Sequence, residues 1–326
     1  MISHKELFEY IPPLPRTIAA PVNHITNCRG SSLLLNSFHE GTGEKTMRIR
    51  IVAPSGPVDE KALNAGIELL RAKGWDVSEG SHVRDRSGYL AGNDEDRLRD
   101  LQDALDDPKA DVVWFARGGY GMTRLLDRLS PEGLRHNPKV IAGYSDATAL
   151  LAWAQPLTGA KLLYAPSIQE LGRPGVCVMD SVWSALSGAP LPIPTAEGSR
   201  NKTASYPVAG GCLTLLSVLA GTPWAPELEG HWLFIEEVGE KLYRIDRMLT
   251  HLAGAGWFAR ASGVLLGGFT GLGEGETPTD VLERVRELVS ESTPVVSGLP
   301  VGHLKGKHTL PLEKSAFWDG GQLVFP

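Results

Sequence analysis

A serine placed where an apolar strand turns sharply into a helix is the strongest chemical signal in this sequence. Gly143-Tyr144-Ser145-Asp146-Ala147 follows the strand run Val140 to Ala142 and leads into the helical run ATALLAWA. A hydroxyl at such a turn is exposed, and the amides after it, with the helix N-terminus, can hold developing negative charge. The pentapeptide has the form of a nucleophile elbow, with Ala147 where glycine is usual. Taken alone, it also fits the commoner duty of a helix cap by Ser145 or Asp146. A serine becomes an effective nucleophile only when a base takes its proton and a carboxylate orients that base. Carboxylates stand at the end of the apolar strand WLFIEEVGE, as Glu236 and Glu237, with Glu240 shortly after. Among nine histidines, His303 closes the loop that starts at Gly298, just after a strand, and His308 competes with it. Each has a plain alternative, a solvated strand exit for the glutamates and a surface loop for the histidine. A metal held by His303 and His308 is disfavoured, because neither an HExxH helix nor clustered carboxylates accompany them.

A second turn, Arg117-Gly118-Gly119-Tyr120-Gly121, leaves the strand run VVWFA. Its glycines permit close backbone approach and outward amides, as an anion or oxyanion site requires, although a tight strand-to-helix turn needs them equally. Dinucleotide binding is disfavoured, since the G-x-G-x-x-G spacing is not met and no Walker lysine follows.

Open parallel sheets place ligands beyond the carboxyl ends of their strands, where both turns would lie. The elements around them read as repeated βα units. RIRIVAPSG after Met47 is a strand. Leu63, Ile67 and Leu70 mark a helix ending near Gly74, and a short strand spans Trp75 to Val77. Leu98, Leu101 and Leu105 mark an acid-rich helix from Asp94 whose charges read as its wet face. The strands Val112–Phe115 and Val140–Ala142 flank a helical segment holding Leu125 and Leu126. Such alternation implies a parallel sheet with helices on both faces. The Pro/Ser/Thr/Gly-rich run 190–207 reads as a linker or long loop. Beyond it HWLFIEE, SGVLLGGF and TPVVSG read as strands and Leu282, Val285 and Leu288 as a helix, suggesting a smaller mixed α/β domain. With 326 residues, two medium domains are expected: 47–189, the linker 190–207, and 208–326. Residues 1–46 lack steady periodicity and read as a loose extension, or as residues preceding a true start at Met47.

Hydrophobic residues make up 42% and charged residues 21%, which fits a globular protein rather than a disordered or fibrous one. A net charge of −6 and the lack of any dense Lys/Arg run argue against nucleic acid as a partner. Cys28, Cys177 and Cys212 are too few and too scattered for a disulfide framework, which suits a reducing compartment. Neither a signal-peptide pattern nor an apolar run of about 18 residues is present, so a cytoplasmic protein without a membrane partner is expected.

Taken in order, the segments IVAPSGP, GYLAG, ARGGYG with RLLD, GYSDATALL, GGCLTLLSVLAGTPW, FIEEVGEKLYRIDRML and LPVGH with TLPL resemble the serine-type muramoyl-tetrapeptide L,D-carboxypeptidases, of which the microcin C7 self-immunity peptidases are a related branch. The resemblance runs from Ile51 to the C-terminus. It implies an N-terminal Rossmann-like domain carrying the nucleophile and a C-terminal domain carrying acid and base across a groove. Motif by motif, it implies Ser145, Glu236 and His303 as a Ser-His-Glu triad, with the Glu236 assignment less firm against Glu237. It further implies an oxyanion hole from the amides of Asp146 and Gly119. The implied reaction is release of terminal D-alanine from a cytoplasmic murein tetrapeptide, in peptidoglycan recycling, without a cofactor and by a homodimer. Arg117, Arg124 or Arg244 could grip the substrate's free carboxylate. Three departures touch the groove segments: Cys212 for the asparagine of GGNLT, His308 where an asparagine often precedes TLPL, and Glu313 for the glycine of TLPLG. The rival readings are an immunity-type peptidase cleaving a peptidyl-nucleotide or acyl-sulfamoyl adenylate, with Trp224 or Trp257 as a platform for the base, and a binding module that lost catalysis.

Overall fold

The protein is described by a computed structural model that covers residues 46–157, 159–198 and 203–326. The expected extension 1–46, apart from Thr46, and Cys28 lie outside the described residues.

The first βα units form as their periodicity demands. Strands β1 (Arg48–Val52), β2 (Asp76–Glu79), β3 (Val112–Phe115), β4 (Val140–Gly143) and β5 (Lys161–Tyr164) pair in parallel in the order β2-β1-β3-β4-β5. The side chains of Val112 to Phe115 are all buried, as expected of a central strand in a parallel sheet covered on both faces. The helix Glu60–Ala72 starts at Asp59, whose side chain accepts from the Ala62 amide at 2.9 Å, and it buries Leu63, Ile67 and Leu70. The helix Asp94–Asp106 is capped in the same way by Asn93 and buries Leu101 and Leu105.

Two local readings change. The charges of Asp94–Asp106 are not all a wet face, because Arg97 and Asp100 are buried. Asp100 accepts the amides of Ser81 and His82, and Arg97 donates to the carbonyls of Pro54 and Gly121, so the helix pins the loops after β1, β2 and β3. The segment with Leu125 and Leu126 forms two tight 3-10 turns, Met122–Arg124 and Leu126–Arg128, followed by a short helix, Glu132–His136. Gly121 enters with φ 140°, and Pro131 follows too soon for a longer helix to develop.

The second sheet runs β10-β9-β8-β7-β12-β13-β6. Its strands are β6 (Leu191–Pro194), β7 (Tyr206–Cys212), β8 (Trp232–Val238), β9 (Gly263–Thr270), β10 (Val295–Val296), β12 (Ser315–Trp318) and β13 (Gln322–Phe325). Strands β7 to β10 are parallel, whereas β12, β13 and β6 join antiparallel, which gives the mixed sheet expected of the C-terminal half. The run 190–207 therefore holds an edge strand as well as a connection. Leu191 and Ile193 are buried and pair with β13, while Pro192 and Pro194 point outward, the place where an edge strand tolerates proline. Strand β11 (Leu310–Leu312) leaves the C-terminal half and pairs antiparallel with β5, so the chain after His303 closes the edge of the first sheet. No helix among the described residues is long and apolar enough to cross a membrane.

Candidate active site

In the order β2-β1-β3-β4-β5 the chain reverses direction of winding between β1 and β3, and ligand crevices open at that point beyond the strand ends. The loops leaving β1, β3 and β4 meet there. Ser145 follows β4 with φ 63°, a left-handed backbone that costs a side-chain-bearing residue about 1–3 kcal/mol and is kept where function fixes it. Neither Ser145 nor Asp146 caps a helix through its side chain. Instead the buried Asp146 Oδ2 accepts from Ser55 Oγ at 2.6 Å and from the Met122 amide at 2.8 Å, tying all three loops together. Burial raises the Asp146 pKa, opposed by those two donors, and its Oδ1 is buried without a hydrogen-bond partner. The turn of Arg117 to Gly121 lies against the serine. A Cβ on Gly118 would stand 3.0 Å from Ser145 Cβ and 3.2 Å from its Oγ, so any larger residue would press on Ser145.

The second sheet brings the other two groups. The pairing of β8 with β9 is irregular between Ile235 and Glu237, and the two neighbouring carboxylates meet different partners. Glu236 is fully buried and accepts from His303 Nδ1 at 2.9 and 3.1 Å and from the His303 amide at 2.9 Å. His303 keeps 17% of its side chain exposed, so one edge of the ring is held and the other is reachable. Gly302 makes this approach possible. Its φ is 108°, and a Cβ there would collide with Glu236 Oε2. Glu237 instead accepts from the Thr214 amide and hydroxyl, both at 2.7 Å, and from the Val238 amide at 2.9 Å; burial raises its pKa.

Two tyrosines join the serine turn to this pair. Tyr164 Oη donates to Glu236 Oε1 at 2.6 Å and accepts from the Ser145 amide at 3.1 Å. The Tyr144 ring lies 4.8 Å from the His303 ring, centroid to centroid. Tyr144 is in turn fixed from behind: its hydroxyl donates to Glu170 at 2.7 Å, Lys307 Nζ reaches the same oxygen at 2.7 Å, and Lys307 also sits 4.2 Å from the centre of the Tyr144 ring. Burial by itself would raise the Glu170 pKa, but Lys307, Tyr144 and Ser167 outweigh it and hold the carboxyl below its ordinary value. Tyr164, Glu170 and Lys307 escaped the sequence reading. Tyr164 lies between Leu163 and Ala165, Glu170 between Gln169 and Leu171, and Lys307 between Gly306 and His308, so no shared sequence context marks them.

The remaining candidates separate by surroundings. Arg117 donates to the Pro57 carbonyl beside the serine turn. Arg124 is committed to Asp94 at 2.6 and 2.8 Å, and Arg244 to Glu240 and the Tyr243 hydroxyl. Gly119 has φ 119° and packs its Cα side against Gly56. His308 has a buried Nδ1 without a partner, and burial lowers its pKa. Among the described residues, His82, Asp85 and Asp96 have ligand atoms close enough together to hold a metal. Cys212 ends β7 with its thiol 3.7 Å from Glu237. Glu313 adopts φ 58° at the position where the resemblance expects glycine, with its carboxylate held by Gln155 at 2.8 Å and His231 at 3.4 Å. Trp257 is buried, which removes it as a platform for a ligand, and Trp224 is half-buried against the core.

The family models for the N-terminal and C-terminal domains of LD-carboxypeptidases match residues 49–165 and 207–316. A putative carboxypeptidase of Streptomyces coelicolor is 39% identical over 83% of this chain and 90% of its own length. The murein tetrapeptide carboxypeptidase of Pseudomonas aeruginosa is 31% identical over 85% of this chain and 94% of its own length. The crystal structure of muramoyltetrapeptide carboxypeptidase from Oxalobacter formigenes superposes with a TM-score of 0.74 at 31% identity, covering 85% of this chain and 97% of that one.

Proposed function

Because this chain belongs to the LD-carboxypeptidase family and is a serine-type peptidase, we propose that it cleaves the L,D bond before the terminal D-alanine of cytoplasmic murein tetrapeptides, with Ser145, His303 and Glu236 as its catalytic set. The observation that carries this reading is the buried Glu236 holding His303 Nδ1, joined through Tyr164 to the amide of a serine in a left-handed turn.

Glu236 accepts the Nδ1 proton, so the neutral imidazole presents Nε2 as a lone pair. His303 takes the Ser145 proton as Oγ attacks the carbonyl carbon, and Glu236 stabilises the resulting imidazolium. The oxyanion develops in front of the turn that follows Ser145, where the amides of Asp146 and Gly119 are the proposed donors. His303 then passes its proton to the amine of the departing D-alanine, and water, deprotonated by the same imidazole, hydrolyses the acyl-serine. Free carboxylate recognition falls to Arg117. It lies in the turn against Ser145 and its partner is a carbonyl, whereas Arg124 and Arg244 are each engaged with a carboxylate.

The test is mass-spectrometric detection of D-alanine released from muramoyl and free tetrapeptides by the wild type and Ser145→Ala, beside an acyl-sulfamoyl adenylate. Release of D-alanine by the wild type alone supports the proposal. Cleavage of the adenylate alone transfers the site to the immunity-type reaction.

A further inference from the structure

We propose that Tyr164 is a positioning residue of the catalytic site, one hydroxyl that sets the nucleophile turn of the first sheet against the carboxylate of the second. The inference rests on the reading of Ser145, His303 and Glu236 given above. Tyr164 is the last residue of β5 and is 1% exposed. Its ring is fixed edge-on by Phe234 at 5.3 Å and by Tyr144 at 6.1 Å. A phenol has one proton to donate, and the direction of both its bonds follows from its partners. An ionised carboxylate only accepts, so the proton goes to Glu236 Oε1, and a lone pair is left for the Ser145 amide. Burial and the neighbouring Glu236 both raise the Tyr164 pKa, so it remains a neutral donor at working pH.

Two consequences follow. The Ser145 amide is removed from the pool of oxyanion donors, which leaves that duty to the amides of Asp146 and Gly119, and the bond helps hold the left-handed turn. Glu236 Oε1 is shared between Tyr164 and His303, with Oε2 occupied by the His303 amide and ring. The tyrosine therefore limits rotation of the carboxylate and tempers its pull on the imidazole proton. The other ionisable groups facing Tyr164 and this carboxylate are Tyr144 from the serine turn, Cys212 from β7, whose pKa is raised by burial, and Glu237, the next residue of β8, which interacts with Glu236 electrostatically. Tyr144 and Cys212 carry no charge at working pH, and Glu237 accepts from Thr214 and Val238 and gives Glu236 no donor, so Tyr164 is the side chain outside His303 that donates to Glu236.

The experiment compares wild type with Tyr164→Phe, which deletes one oxygen. A serine-directed fluorophosphonate reports Ser145 reactivity against pH independently of the substrate, and D-alanine release reports kcat and KM. The labelling rate and kcat are expected to fall about 10- to 100-fold, the usual range for losing a group that orients a catalytic ligand, with KM little changed. The acidic limb of both pH profiles should move to higher pH, because Glu236 without its donor holds the imidazolium proton more tightly. Site-specific 3,5-difluorotyrosine at position 164 keeps the hydroxyl, donates more strongly and should move the limb to lower pH. This second variant keeps the test open should Tyr164→Phe fold poorly. Wild-type labelling rates and an unmoved limb in both variants would overturn the proposal. Labelling without D-alanine release in the wild type removes the murein substrate but not the role of Tyr164. Absence of Ser145 labelling in the wild type removes the nucleophile assignment and this role with it.

Discussion

Replacing Glu236 by glutamine should reduce kcat about 10⁴-fold while leaving the protein folded. Glu236 receives three donors, the His303 amide, His303 Nδ1 and the Tyr164 hydroxyl, and it is completely buried. An amide side chain offers one accepting oxygen and one donating nitrogen, so at least one of the three donors must face an N–H. If the nitrogen faces His303, the imidazole adopts the tautomer with its proton on Nε2, and it cannot accept the serine proton. A matched change in serine hydrolases costs about 10⁴ in kcat, equivalent to about 5 kcal/mol of transition-state stabilisation. The stability cost is smaller, about 1–3 kcal/mol for the charge-assisted hydrogen bonds weakened. Glu237→Gln is the control. Glu237 ends on Thr214 and Val238 rather than on His303, so kcat should stay within about tenfold while the melting temperature falls. The assay is steady-state release of D-alanine over a pH series, with thermal unfolding measured on the same samples. The reasoning is refuted if Glu236→Gln retains a tenth of wild-type kcat, or if Glu237→Gln is the more damaging of the two.

Ser145 at φ 63° predicts that Ser145→Gly is more stable than Ser145→Ala by about 1 kcal/mol, roughly 2 °C in melting temperature, although both lack activity; equal melting curves would contradict stored backbone strain. Lys307→Met strands the Glu170 carboxylate in a buried site and should cost about 3–5 kcal/mol by urea unfolding, with part of the loss recovered in Lys307→Met/Glu170→Gln. The Glu170 pKa is lowered from an ordinary value of 4.5, so its contribution to wild-type stability is full above that pH and disappears as pH falls through the lowered folded value; the single Lys307→Met variant should lack this acid-side loss. Gly302→Ala forces a methyl group against Glu236 at a left-handed backbone position, and activity measurements should reveal a loss larger than its change in melting temperature.

The sequence by itself determined what short-range patterning can encode. The period of Leu63, Ile67 and Leu70 placed a helix, and the apolar runs from Val112 and Val140 placed central strands. The turns that leave those strands marked Ser145 and the Arg117 to Gly121 segment, because open parallel sheets place ligands beyond the carboxyl ends of their strands. It also brought Glu236, Glu237 and His303 forward as candidates. Which of the two adjacent glutamates reaches His303 waited on how β8 packs against the loop that carries the histidine. The same limit hid the edge strand Leu191–Pro194 behind its prolines, since being at an edge is a property of the whole sheet. It also hid Arg97 and Asp100 within an acid-rich helix, and Tyr164, Glu170 and Lys307 among ordinary polar residues. Glu170 and Lys307 are 137 positions apart. Burial and long-range partners turn such side chains from solvated groups into fixed donors and acceptors, and those are decided only when distant segments pack together.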